Sequence, residues 1–241
     1  MSLSRQYHPP NVQSNITAGY WAAFRKDVFT LLSKGYSRLE YGRINRHYRK
    51  IDQMPRHLCV LKWFPIKSDA HEEAITGELV RIIEEMLNDT ESPDWYDHYS
   101  IHEDPRIHSP DKFGKHRRRL DIRIEHNRLR PRTHYEFEAK RLCKGKSEVA
   151  NYIGKEGLGL FLSGEYGRQW PEAGMLGYIQ SDEPNHWAEK LSRKLSDGLD
   201  EPWESLSIVE GLPTFKTCHN RSEGLPPIRI FHALLNFCKK V

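Results

Sequence analysis

Between residues 119 and 142 the chain reads RLDIRIEHNRLRPRTHYEFEAKRL, and both halves of this stretch alternate apolar with polar side chains. Leu120, Ile122 and Ile124 interleave with Arg119, Asp121 and Arg123, while Tyr135, Phe137 and Ala139 interleave with Glu136, Glu138 and Lys140. A period of two predicts two strands, and the polar, proline-containing segment between them predicts an antiparallel hairpin. With the turn near Leu129 and Arg130, Ile122 falls opposite Phe137, Ile124 opposite Tyr135, Leu120 opposite Ala139 and Asp121 opposite Glu138. That register gathers the apolar side chains on one sheet face and leaves the acids with Lys140 on the other.

Helical periodicity appears upstream. HEEAITGELVRIIEEML, from His71 to Leu87, places Ile75, Leu79, Ile83 and Met86 on one stripe. At about 100° per residue Glu72 falls within that stripe, and Glu73 takes its place if the helix is rotated. Earlier still, residues 1–16 form a polar arm containing Pro9 and Pro10. Ala18 to Lys34 reads as a helix through Trp21, Phe24, Val28 and Leu31 or Leu32, and Ser37 to Lys50 as a basic, aromatic-bearing continuation. CVLKWFP, from Cys59 to Pro65, predicts a short strand, and Asn88 to Gly114 a long polar loop. After the hairpin, Ser147 to Leu162 predicts a glycine-weakened helix in which Lys155 faces the site as a phosphate contact and Tyr152 packs beneath the sheet. Gly174 to Gln180 predicts a core strand, Pro184 to Leu199 an amphipathic helix, and Phe215 to Asn220 and Pro227 to Leu235 closing strands. Strands and helices intermixed in this way give an α/β (α+β) class with a mixed central sheet flanked by helices. The expected organisation is an accessory segment at 1–58 and a main domain at 59–241.

Charge alters the picture at the hairpin. The chain carries a net +4, but residues 111–146 hold 13 Lys and Arg against 5 Asp and Glu, so this stretch is +8 and the rest −4. Lys115, Arg117, Arg118, Arg119, Arg123 and Arg141 surround the acids and are the candidate phosphate contacts, with binding expected to weaken as salt rises. The plainer alternative is a solvated hairpin laced with cross-strand ion pairs, Asp121 with Lys140 and Glu136 with Arg123.

Two carboxylates about 4 Å apart repel by roughly 4 kcal/mol at an effective dielectric near 20, which calls for a compensating cation. Hard oxygen donors on a rigid hairpin suit Mg²⁺ or Mn²⁺ better than zinc. Glu138-Ala139-Lys140 is the only acid-x-Lys triplet in the chain. Its lysine, two residues beyond Glu138, points at the same place and is suited to orienting an attacking water. Glu72 is the expected third acid, with first-turn stabilisation by the helix dipole as the modest alternative. The scattered histidines show no paired helical spacing for a metal, and GLGLFLSG lacks the fingerprint of a dinucleotide loop.

An acid on a helix, Asp121 on one strand and Glu138-Ala139-Lys140 on the next resemble the PD-(D/E)XK, or restriction-endonuclease-like, nuclease superfamily. The usual proline before the aspartate is replaced by Leu120. FEAKRL followed by SEVANYIGKEGLGLFLSGEYGRQWPEAGMLGYI is similar to bacterial restriction or phage-defence nucleases, and the resemblance spans about residues 71–180. It implies an αβββαβ core and a metal held by Glu72, Asp121, Glu138 and Ala139. Glu72, Asp121, Glu138 and Lys140 then form the catalytic set, acting on nucleic acid, with DNA favoured over RNA by family frequency. A catalytically inactive nucleic-acid-binding or scaffold subunit of a defence complex keeps the same fold, and a homodimer is a further implied partner.

The remaining composition is that of an ordinary globular chain: 241 residues, 37% of them hydrophobic, suffice for a full core. No apolar run is long enough to span a bilayer and the first ten residues lack a secretory pattern, so the expected location is cytoplasmic, away from membranes. Cys59, Cys143, Cys218 and Cys238 are dispersed, without the pairing of a zinc ribbon or a disulfide framework.

Overall fold

A computed structural model describes residues 18–45, 71–107, 114–128, 130, 132–145, 149–196, 201–222 and 224–238. The N-terminal arm, the Cys59 to Pro65 segment and the boundary expected at 58/59 lie outside the described residues. Helix α1 spans Ala18–Asn45 and α2 Glu72–Asn88. Strands β1 (Tyr99–Glu103), β2 (Ile122–His126) and β3 (His134–Leu142) follow, then two short helices, α3 (Val149–Ile153) and α4 (Gly159–Leu162). The chain continues through β4 (Glu172–Ile179), α5 (Pro184–Leu195), β5 (Glu201–Leu206), β6 (Thr214–His219) and β7 (Ile228–Asn236).

All seven strands join one mixed sheet in the order β1-β2-β3-β4-β7-β6-β5. β1, β2 and β3 are antiparallel neighbours, β4 lies parallel to β3 and to β7, and β6 and β5 close the far edge antiparallel. The α3–α4 region supplies the crossover that a parallel β3–β4 pair requires.

Two apolar layers sandwich this sheet. On one face α1 and α2 pack Phe24, Phe29, Leu79 and Ile83 with Ile122, Ile124, Tyr135, Phe137, Tyr178 and Leu235. On the other, Tyr152, Phe161, Trp187 and Leu191 pack with Leu142, Met175, Ile179 and Ile230. β4 is buried along its whole length because both faces are covered, as expected of a strand flanked by parallel neighbours.

Several expectations change here. The helix expected over Ala18 to Lys34 and its continuation from Ser37 form one helix, α1, which runs through Gly35 to Asn45. That glycine marks the crossing of α1 over α2: a Cβ there would meet Ile83 Cγ1 at 2.5 Å. The polar loop expected from Asn88 to Gly114 contains a 3-10 turn, Asp94–His98, and all of β1. β1 pairs with β2 and buries Tyr99 and Ile101, which the surrounding histidines and acids obscure in the sequence. The single helix expected over Ser147–Leu162 is divided by its glycines into α3 and α4, and β5 is an additional strand.

Candidate active site

The hairpin adopts the expected register, with Ile122 opposite Phe137 and Ile124 opposite Tyr135. Pairing ends at Ile122, where the two strands part. Residues 118–121 turn instead against the segment after β1: Leu120 donates its N–H to Pro105 O, and Asp104 donates to Asp121 O. Leu120 therefore enters the second core beside Leu142 rather than lying across from Ala139. The ladder place left open on β3 is taken by a side chain, since Ala139 N–H donates to Asp121 Oδ2 at 2.6 Å. A carboxylate is thus fixed by the backbone where the sheet splits.

Glu138 and Lys140 project from β3 to this same place. Lys140 Nζ donates to Glu138 Oε1 at 2.7 Å, to its neighbour's carbonyl, Ala139 O, at 2.8 Å, and to Glu72 Oε1 at 3.0 Å. Glu72 opens α2, and its second oxygen accepts from Arg141 N–H at 2.9 Å. Helix and strand are therefore joined through both oxygens of one carboxylate. Glu73, the substitute, is exposed. Lys140 and Glu138 are largely removed from water, with side-chain exposures of 15% and 7%.

The electrostatics are strained in one direction. Burial, reinforced by Asp121, raises the Glu138 carboxyl to about 8, and burial raises Asp121 to about 6. Burial opposes the charge on Lys140, but Glu138 and Glu72 hold its ammonium well above the usual range. Two acids share one ammonium, and the third, Asp121, is held by a backbone amide. Glu138 Oε2 is buried without a partner, an unsatisfied acceptor of the kind a fold keeps only at a cost.

Those features fit a hard divalent cation. The donors are oxygens, one is buried and unsatisfied, and the two acids with raised pKa values gain most from a positive charge. Glu72 and Glu138 are at present turned onto Lys140, and among the described residues no three His, Cys, Asp or Glu side chains are gathered closely enough to hold a metal. A cation there would be held by Glu138 and Asp121, with Glu72 and the Ala139 carbonyl nearby once they exchange the ammonium for it.

Two hydroxyls border the centre. Tyr178 on β4 shares a hydrogen bond of 2.9 Å with Thr76, one turn after Glu72 on α2, and burial followed by the nearby acids raises its pKa. Tyr166 donates to Arg119 O, and burial followed by Glu138 raises its pKa too. Neither is marked in the sequence, where each reads as an ordinary core aromatic.

The cations expected to contact phosphate divide into two groups. Arg118 pairs with Glu156 at 2.7 Å and with Glu165, Arg119 pairs with Asp104, and Arg123 pairs with Glu136 at 3.3 Å. The last is the cross-strand pair of the plainer reading. Lys115 is exposed on a 3-10 turn, and Arg117 and Arg141 are partly buried. Lys155 is exposed on the turn after α3, whereas Tyr152 is buried beneath the sheet against His232 Nδ1 at 3.0 Å.

Glu136, two residues before Glu138, is buried as well. Burial works against its charge, but His134, Arg123 and the Gly167 N–H, 2.7 Å away, hold its carboxyl below the usual range. The alternation of β3 puts Glu136 on the polar face with Glu138. Nothing local in the sequence announces that the turn around Gly167 covers it.

Comparison of the chain with protein-family models, curated proteins and solved structures returns no match.

Proposed function

We propose that this chain is a Mg²⁺- or Mn²⁺-dependent endonuclease of the PD-(D/E)XK type that hydrolyses phosphodiester bonds, with DNA as substrate and restriction or phage defence as its setting. The observation that carries this reading is the convergence of Glu72 and Glu138 on the Lys140 ammonium, with Asp121 held beside them on the Ala139 amide, at the point where β2 and β3 part. The element order from α2 through β1, β2, β3, the α3–α4 crossover and β4 supports it, being compatible with an αβββαβ core.

A bound dication supplies charge for the phosphodiester and lowers the pKa of a water. The chain's own residues do the rest. Asp121, fixed by the Ala139 amide, and Glu138, with a sealed free oxygen, define where positive charge is accepted. Lys140 carries donors that, once released from Glu72, can orient water or neutralise a phosphate oxygen. Glu72 links the start of α2 to β3 and sets how far that ammonium travels.

The rival is a silent nucleic-acid-binding or scaffold subunit, favoured by the occupation of Lys140 by two acids and of three arginines by ion pairs. Plasmid incubated with Mg²⁺ or Mn²⁺ separates them. Wild type is expected to cut, while Lys140→Ala and Asp121→Ala do not. Equal DNA binding by all three proteins with no cleavage in either metal supports the rival.

A further inference from the structure

Arg221, in the loop after β6, is a buried guanidinium that the proposed chemistry leaves unused; its exposure is 8%. Its Nε donates to Pro226 O at 2.6 Å and its Nη1 to Gly167 O at 2.8 Å. Nη2 is buried and has no partner. No acid forms an ion pair with Arg221 among the described residues. Burial depresses its pKa, and the charge of Arg168 adds to that effect.

A guanidinium removed from water is costly to retain unless an anion answers it. Tying two loops through two carbonyls needs only neutral donors, such as those of a glutamine. The surplus lies in the positive charge and the unpartnered nitrogen, the parts that recognise a planar or tetrahedral oxyanion.

The position is informative. Gly167, at φ 59°, occupies the left-handed region, so its amide and carbonyl serve different partners. Its N–H donates to Glu136, and its carbonyl accepts from Arg221. Glu136 stands two residues from Glu138 on the same face of β3, about 6.6 Å along a strand. The neighbouring Tyr166 feels Glu138 and Asp121. One turn, residues 164–168, therefore separates the acid–lysine centre from Arg221, and Arg168 on that turn is exposed to solvent.

We propose that Arg221 and Arg168 form an anion subsite that holds a phosphate of the nucleic-acid backbone next to the one at the acid–lysine centre. This rests on the reading that the substrate is a nucleic acid. Arg168 meets the phosphate from solvent and Arg221 supplies its one unpartnered donor, Nη2, so the contact fixes the strand's position without reading its sequence.

The test uses the full chain in EDTA, which separates binding from cleavage. Affinity for a short fluorescein-labelled DNA duplex is measured by anisotropy over a series of salt concentrations for wild type, Arg168→Gln and Arg221→Gln. Loss of one phosphate contact is expected to weaken binding several-fold and to reduce the slope of log affinity against log salt by about 0.9. In a second arm, inorganic phosphate is compared with chloride at equal ionic strength, and it is expected to raise the unfolding temperature of wild type but not of Arg168→Gln. Should Arg221→Gln fail to fold, the exposed Arg168 position decides.

An unchanged slope in folded Arg168→Gln overturns the subsite, even if plasmid cleavage is normal. Protection by phosphate with no change in slope overturns it too, and points to a free phosphate ligand. A wild type that binds no duplex at low salt overturns both the subsite and the nucleic-acid reading. A reduced slope in a protein that never cuts keeps the subsite and removes the nuclease.

Discussion

Lys140 Nζ and Glu72 Oε1 lie 3.0 Å apart, joining a strand to the first residue of a helix 68 positions earlier. Because Glu72 also accepts from Arg141 N–H, its removal takes one of the ammonium's three acceptors and frees the start of α2. Glu72→Gln keeps the shape but loses the charge. It is expected to lower metal affinity by about 10- to 100-fold, the range typical of groups that orient metal ligands. Glu73→Gln, altering an exposed neighbour, is expected to match wild type. Calorimetric Mn²⁺ titration of both variants checks this, and equal losses would show that position 72 has no privileged place in the site.

Glu138 makes metal-free stability depend on pH in an unusual direction. Its carboxyl is raised to about 8 in the folded protein against an ordinary 4.5, so between these values the unfolded chain has released a proton that the folded chain retains. Stability is complete below pH 4.5, declines as pH rises and levels off above about 8, with a loss on the order of several kcal/mol. Glu138→Gln is expected to remove most of the decline, and all of it above about pH 6, where Asp121 is ionised in both states. Urea unfolding in EDTA at pH 5, 6.5 and 8 measures it, and parallel curves for the two proteins would contradict this account.

Much of this site is legible in the sequence because its residues sit on strongly periodic elements. Alternation in the hairpin fixes register from Ile122 to Glu125, whereas Asp121 lies beyond the last pair and reaches β3 through its carboxylate on the Ala139 N–H rather than opposite Glu138. The stripe on α2 selects Glu72 over Glu73 by the same logic. What escapes is set by partners far along the chain. Leu120 keeps the alternation but leaves the ladder, because residues 104–107 offer it another backbone partner. β1 is hidden since only Tyr99 and Ile101 of its five residues are buried, too short a pattern to stand out from a polar loop. Arg221 reads as a surface cation, and only the packing of its loop against the turn at Gly167 buries it. The ion pairs that occupy Arg118 and Arg119 likewise join segments whose proximity depends on the completed sheet.

The α1–α2 crossing at Gly35 is expected to be a sharp stability determinant. A Cβ at that position meets Ile83 Cγ1 at 2.5 Å and Leu79 Cδ1 at 3.3 Å, both in the packed interior. Gly35→Val overfills it and is expected to cost about 1–3 kcal/mol, beyond any gain in helix propensity. Combining it with Ile83→Ala should recover part of that loss, because the clash and the vacated volume coincide. Chemical denaturation of the two single variants and the double variant checks the coupling, and strict additivity would show that the two helices do not press on each other there.

A second pH dependence, of opposite sign, arises from His232. Its ring is fully buried between Tyr152 OH at Nδ1 and Thr217 Oγ1 at Nε2, with Thr217 also 2.8 Å from His219. Burial, with the nearby His219 adding to it, lowers its pKa to about 3, far below the ordinary 6.5. Above pH 6.5 the ring is neutral in both states and its hydrogen bonds contribute in full. Below that value the unfolded chain takes up a proton that the folded chain refuses, so stability falls until the folded pKa is reached. His232→Asn is expected to be less stable than wild type at pH 7 by about 1–3 kcal/mol, through the broken Tyr152–Thr217 link. The gap should narrow by about 1.4 kcal/mol per pH unit below 6.5, since the variant has no such proton to exclude. Urea unfolding at pH 7 and pH 5 reads the difference directly: a gap that stays constant would mean that His232 is protonated in the folded protein, and that the Tyr152–His232–Thr217 chain is not the neutral, sealed link its geometry describes.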